Sequence, residues 1–324
     1  MENSKISWCD HSLSFWLGCT KVSPGCENCY AETLMDKRFH RVKWGAGQPR
    51  VERLDAARAE CLKWERKAAK TGVRPRVFVN PCADWLDPDV PVEWLAFLLD
   101  TIRLCPAMDF LLLTKRPENF KNRLNQFSAS AFSRDLAWIC AKWFDAHPPA
   151  NVWVGATIEN QAMADKRIPE LLKIPAQVRF LSVEPMLGTL DLSHVYMIGG
   201  GSAISVNPLT GARNNGTSMC ILTGGPRHYN KIDWVICGGE SGPKARPMHP
   251  DWARSLRDQC KAAGVPFFFK QWGEWVPCGM VEDETKYTCQ LLDGTIMCRV
   301  GTRRAGDLLD GIQHREFPTT KENQ

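Results

Sequence analysis

Six apolar runs recur along the chain, spaced so that most intervals can hold a helix: RVFVN (76–80), DFLLLTKR (109–116), NVWVGATIE (151–159), VRFLSVEP (178–185), DWVICGGE (233–240) and PFFFKQWG (266–273). A half-exposed strand would alternate apolar and polar residues, so near-continuous runs suit a parallel sheet buried on both faces. Amphipathic spacing occupies 50–70, 92–104, 161–173 and 250–263, the last followed by Gly264, a residue on which helices commonly end. This alternation predicts an α/β fold, a partial or full (β/α) barrel of the TIM type in preference to an open sheet.

Two stretches break the rhythm. Residues 193–232 are rich in Gly, Asn, Ser and Thr and are expected to form an insertion, read as a lid over a site or as a surface excursion. Beyond the barrel domain, expected over 1–277, KYTCQLL and TIMCRVG flank Asp293-Gly294 and predict a β-hairpin within a C-terminal extension, 278–324. The start, MENSKISWCDHSLSFW, has no basic segment leading into an apolar run, and no stretch approaches membrane-spanning length. The expectation is a cytoplasmic protein with no membrane partner. A net charge of +5, from 41 basic and 36 acidic residues, permits a nucleic-acid partner, and a mixed solvated surface accounts for it equally well.

Fourteen cysteines are many for such a protein. Most are scattered singly, and without a secretory signal buried free thiols are expected in preference to disulfides. The exception is GCTKVSPGCENCYAE, residues 18–32, where Cys19, Cys26 and Cys29 share one Gly- and Pro-containing loop. A zinc site would need a fourth ligand, from Cys9, His11 or a distant cysteine. A disulfide would leave one thiol over. A four-iron, four-sulfur (4Fe-4S) cluster held by three cysteines would leave one iron open to another molecule.

Polar residues directly after the apolar runs supply a separate signal, since chemistry in βα barrels sits at the C-terminal mouth. The second strand is followed by Asn80, Cys82 and Asp84, the next by Thr114, Lys115 and Arg116, and later ones by Thr157 with Glu159, Ser182 with Glu184, Glu240 with Ser241, and Lys270 with Gln271. Lys115, Glu159, Glu184 and Lys270 are therefore candidate catalytic residues; Asn80, Asp84, Thr157, Glu159 and Glu240 are candidates for cofactor binding. The bland alternatives are a solvated loop start at Lys115-Arg116 and helix caps at Glu159 and Glu184. Among thirteen tryptophans, Trp85, Trp153, Trp272 and Trp275 fall near the expected mouth, where core packing is the default and base stacking the alternative. No P-loop, G-x-G-x-x-G or H-E-x-x-H pattern is present.

The interval Cys26-Glu27-Asn28-Cys29 and the aromatic Tyr30 resemble the radical S-adenosylmethionine signature C-x3-C-x2-C, although six residues separate Cys19 from Cys26 instead of three. With LLLTKRPEN, NVWVGATIEN, VRFLSVEPMLG, WVICGGESGPKARPM and FFFKQWGEW, the chain over about residues 5–277 resembles the phage-borne three-cysteine-motif family, phage proteins of unknown function. That resemblance implies a radical-SAM-like barrel, akin to spore photoproduct lyase. Cys19, Cys26 and Cys29 would hold the cluster, and a 5′-deoxyadenosyl radical would abstract hydrogen from a substrate such as a nucleobase or nucleotide in phage DNA modification or repair. It further implies an electron donor, a partner protein bearing the three-cysteine name, and residence in a host cytoplasm. GGESG, 238–242, resembles the Gly-Gly-Glu element that binds the cofactor's amino group, with an anion-binding nest of amides as the alternative. Two other classes remain open: a non-catalytic zinc or iron–sulfur protein that binds nucleic acid or a protein, and a hydrolase working through Asp84, Glu159 and Glu184.

Overall fold

The computed structural model describes residues 2–128, 140–199, 202–213, 231–280 and 287–319. Its centre is a seven-stranded sheet of β1 (His11–Leu13), β2 (Arg76–Val79), β3 (Asp109–Thr114), β4 (Val152–Thr157), β5 (Val178–Val183), β6 (Trp234–Gly238) and β7 (Phe267–Gln271). Every neighbouring pair is parallel and the spatial order is the chain order. The sheet curls into a half-barrel in which β1 and β7 are the two edges, so the partial barrel is formed and the full one is not. All six apolar runs are strands. The seventh strand, β1, is only His-Ser-Leu, and pairing with Val77–Val79 makes it one.

Helices cover the outer face: α1 (Leu54–Thr71), α2 (Val92–Arg103), α3 (Phe120–Ser128), α4 (Gln161–Leu172) and α5 (Pro250–Ala263). Their ends follow local chemistry. In α1 the buried stripe Ala57, Cys61, Trp64 and Ala68 keeps helical spacing, and Gly72 closes the helix in the left-handed conformation. The Asn160 side chain accepts the Met163 N–H at the start of α4, and His249 accepts the Asp251 N–H at the start of α5, where Pro250 fills the first turn.

Strand alternation separates the two faces. Val77, Val79, Phe110, Leu112, Val152, Val154, Leu181, Val183, Val235 and Phe269 belong to the large core between sheet and helices. The intervening Phe78, Leu111, Trp153, Phe180, Trp234 and Phe268 point into the half-barrel and form, with Trp8, a second aromatic core. Gly155 is required there. A Cβ on it would lie 2.4–2.6 Å from the Phe180 ring.

The insertion is a small antiparallel sheet, Val195–Gly199, Ser202–Asn207 and Ala212–Arg213, packed beside α4 on the helical side. Its described part does not cover the mouth as a lid would; residues 214–230 lie outside the described residues. The expected hairpin forms between Thr288–Gln290 and Ile296–Arg299, and Trp275–Pro277 adds a third strand. The extension is not merely appended, since Phe317 packs on Trp234 and Phe268 with ring centroids 5.2 and 5.3 Å apart and helps close the inner core. One expectation is corrected: Cys278 and Cys298 form a disulfide, because the pairing of Val276 with Cys298 brings the start of the following turn against that strand.

Candidate active site at the mouth of the half-barrel

Above the aromatic floor the inward positions turn polar. Phe78 is succeeded by Asn80, Trp153 by Gly155 and Thr157, Phe180 by Ser182 and then Glu184, and Phe268 by Lys270, and Asn80, Thr157, Ser182, Glu184 and Lys270 line one cavity of about 420 Å³ at the C-terminal strand ends. Trp8, Phe78 and Leu113 form its base. Cys19, Cys26 and Cys29 form its other wall, so a single loop carries all three thiols onto the mouth.

That loop is tied to four strand ends. Beyond β4, Glu159 accepts the Gly25 N–H at 3.0 Å through Oε1. Beyond β6, Glu240 Oε2 accepts Asn28 Nδ2 at 3.1 Å, while Arg246 donates to Glu240, Glu27 and the Pro24 carbonyl. Tyr30 Oη donates to the Pro81 carbonyl beyond β2 at 2.6 Å. Beyond β3, Arg116 donates from Nη2 to the Thr20 carbonyl at 2.7 Å and from Nη1 and Nη2 to Cys19 Sγ at 3.5 and 3.6 Å. Asp84 in turn fixes Arg116 at 3.0 Å and accepts the Thr114 hydroxyl and the Lys115 N–H.

The thiols sit in opposing fields. Burial pushes the Cys19 thiol up to about 11, with the Arg116 guanidinium working against it. Burial also raises Cys29, opposed in part by the Lys115 charge. Among the described residues no carboxylate pairs with the Lys115 ammonium, which is half-buried on the cavity wall. Lys270 Nζ is 2.5 Å from Glu184 Oε1, and Gln271 Nε2 donates to the same oxygen at 3.3 Å. Asn80 spends its Oδ1 on the Phe15 N–H at 2.7 Å, while its buried Nδ2, beside the cavity, has no partner among the described residues.

Most of the residues expected at the mouth are therefore brought together, but Glu159 is not. It is fully buried behind the loop, with Oε2 2.8 Å from Arg167 Nη1, because the chain leaves β4 at Thr157 and turns into α4, where strand alternation no longer applies. Asp84 and Glu240 line the cavity with their oxygens committed to the framework. Cys9 lies in the inner core and His11 stacks on Trp64, ring centroids 4.5 Å apart, so neither reaches the thiols as a fourth ligand. Cys82 shares an apolar cluster with Cys29 and is the distant cysteine brought beside the loop. Trp85, Trp153 and Trp272 are core residues; Trp8 and Trp44 are the tryptophans on the cavity. In GGESG, Gly239 is required by packing, since a Cβ there would lie 1.9 Å from the Trp272 carbonyl oxygen, and Gly242 by its backbone, φ +105°. Its Gly239 and Gly242 amides are spent on Gln271 and Glu274. Arg116, Arg246 and Asn28 matter more than their loop positions suggested; the signal was their place directly beyond strand ends or between the cysteines.

Among the described residues no three His, Cys, Asp or Glu side chains converge closely enough to hold a metal ion as they stand. The three thiols are spread along one wall. A single zinc, with thiolate bonds of about 2.3 Å, needs them gathered to a point. A cube of four irons and four sulfides takes its ligands from around its outside, and three thiols on one cavity wall match it in donor chemistry. Among the described residues no helix is long and apolar enough to cross a membrane.

Fold and cavity together define an α/β half-barrel protein with a cavity at its C-terminal mouth. Within that class the chain belongs to the DUF5131 family, a protein of unknown function, whose family model matches residues 3–318. No curated protein and no solved structure matches it.

Proposed function

We propose that this protein is a radical S-adenosylmethionine-type enzyme, with Cys19, Cys26 and Cys29 as the ligands of a four-iron, four-sulfur cluster and the cavity beside them as the seat of S-adenosylmethionine and substrate. The observation that carries this reading is the placement of three thiols from one loop on a single cavity at the C-terminal mouth of a parallel half-barrel. Held by these three thiols, a cluster of this kind would supply one-electron reducing chemistry to S-adenosylmethionine bound beside it. The chain's own residues do the positioning. Arg116 orients Cys19, Glu240 through Asn28 fixes the turn between Cys26 and Cys29, and Lys115 adds positive charge near Cys29. The Glu184–Lys270 pair offers an acceptor and a donor to a bound hydroxyl or amine, and the aromatic base excludes water from the reacting atoms.

A nucleobase or nucleotide substrate suits the planar surfaces of Trp8 and Phe78, and the reading requires an external electron donor. Phage origin and a three-cysteine partner protein belong to the same proposal through the family resemblance. The hydrolase reading has less support, because Glu159 is sealed in an ion pair and Asp84 has no oxygen to spare as a base. The zinc reading loses Cys9 and His11 as fourth ligands and keeps Cys82, which lies beside Cys29 but with no three such groups converging on a point among the described residues. The test is iron and sulfide analysis with electron paramagnetic resonance on anaerobically reconstituted, dithionite-reduced protein, with and without S-adenosylmethionine, beside Cys19→Ala/Cys26→Ala/Cys29→Ala. The expected result is about four irons per chain, absent from the variant, with a spectrum that changes on adding S-adenosylmethionine. Stoichiometric zinc and no reconstitutable cluster would overturn the proposal.

A further inference from the structure

The sequence KRFHRVK, 37–43, contains five basic or titratable-basic side chains and no carboxylate. Its shape is built: the Phe39 N–H donates to the Leu34 carbonyl at 3.0 Å and the Arg41 N–H to the Met35 carbonyl at 2.8 Å, with His40 between them in the left-handed conformation. The Trp44 N–H is then held by Asp36 at 2.8 Å, and the Gly45 N–H by the carbonyl of Cys19 at 3.0 Å. Val42 anchors the turn inward in the apolar cluster that Cys29 packs against. What remains outside is Phe39, 47% exposed, with the guanidiniums of Arg38 and Arg41 each 5.4 Å from its ring centroid. Neither arginine has a carboxylate partner among the described residues, whereas Lys37 and Lys43 reach from solvent to the half-buried carboxylates of Glu32 and Asp36, at 3.2 and 3.7 Å. From this surface the chain passes directly to Trp44 on the cavity.

We propose that this turn is a docking surface for a single-stranded nucleic acid. Arg38, Arg41 and Lys43 would hold consecutive phosphates, Phe39 would stack one base, and Trp44 would guide the neighbouring base into the cavity. Charge complementarity calls for a polyanion, and the exposed ring between two guanidiniums selects a strand over an acidic polypeptide, because bases offer a π-face and carboxylates do not. A single strand is favoured over a duplex, since a base inside a stack can reach neither Phe39 nor the cavity. This deepens the nucleobase reading above by naming its substrate class, and its test does not depend on the cluster.

The experiment is fluorescence anisotropy of the full chain with labelled DNA and RNA strands of about 20 nucleotides, the matching duplex and polyglutamate, across a salt series. The wild type is expected to prefer a single strand. Arg38→Ala/Arg41→Ala should lower affinity at least about tenfold and reduce the salt slope by about 1.4, two phosphate contacts at roughly 0.7 each. Phe39→Ala should weaken binding about tenfold with little change of slope, and Phe39→Trp should restore it. Circular dichroism on these surface variants checks that the fold is kept. Absence of strand binding at low salt, equal retention of polyglutamate or duplex, or affinity unchanged by both sets of substitutions would overturn the proposal. Binding is measured on protein carrying no reconstituted cluster, so a failed cluster assay and a failed binding assay are separate results.

Discussion

Glu159 and Glu184 show how little a residue's type says about its use. Both follow an apolar strand, yet one faces the cavity against Lys270 and the other is sealed against Arg167, itself 1% exposed. Glu159→Gln retains an acceptor for Gly25 but leaves the Arg167 charge buried without its counterion. A loss of about 3–5 kcal/mol is expected in urea unfolding. A change below about 1 kcal/mol would mean that Arg167 finds other compensation and that the pair is not what anchors the loop. Glu240 makes the opposite case for pH. Burial opposes its ionisation, but the Arg246 and Asn28 hydrogen bonds outweigh it and hold its carboxyl below the usual range. The sign follows: its contribution is present above the unfolded carboxylate value and is lost as pH falls through the lower folded value. Acid should therefore loosen the cysteine loop, and thiol labelling of Cys29 should speed up on acidification toward that range, after correction for the intrinsic thiol reactivity; no acceleration would contradict the clamp.

At the scale of elements the governing fact is the two-residue repeat of a strand buried on both sides. One parity feeds the helix-covered core, and the other builds an aromatic floor that becomes polar at the rim. The floor has no slack at β4, where Gly155 faces the Phe180 ring. Gly155→Ala forces its Cβ against that ring and should cost about 1–3 kcal/mol by overpacking. Gly188→Ala is the comparison. Its Cβ would meet only Asn160 Cβ at 3.5 Å, and its melting temperature should stay near that of the wild type. Equal effects of the two substitutions would show that Phe180 can move aside and that the floor is not a packed layer. The helices were readable from their spacing and caps, whereas α3 begins within the run after β3 and β1 is too short to carry any periodic signal.

Across the whole molecule, thiols far from the mouth are part of the core. Cys105 and Cys260 are fully buried, and burial raises both to about 12; Cys140 is raised to about 11 for the same reason. Below the ordinary thiol range both folded and unfolded chains keep these protons. Above it the unfolded chain loses them first, so stability falls as pH rises, by up to about 1.4 kcal/mol per thiol per pH unit. Urea midpoints under reducing conditions should drop from about pH 8 to pH 10, and Cys260→Ala should flatten that decline relative to its own starting stability. A flat profile in the wild type would show these thiols to be reachable by water.

What the amino-acid order determined without help was the kind and succession of elements, and the gathering of polar groups and three cysteines at one rim. Apolar runs of strand length and right-handed crossovers fix strand direction, and strand direction fixes which ends meet. Tertiary structure alone decided the assignments within that rim. Glu159 pairs with a residue of the next helix, Arg116 turns toward Cys19 from 97 positions away, and Asn28 meets Glu240 across 212. A side chain's charge, burial and free lone pairs depend on such partners, and partners distant in the chain are chosen by packing, not by local pattern.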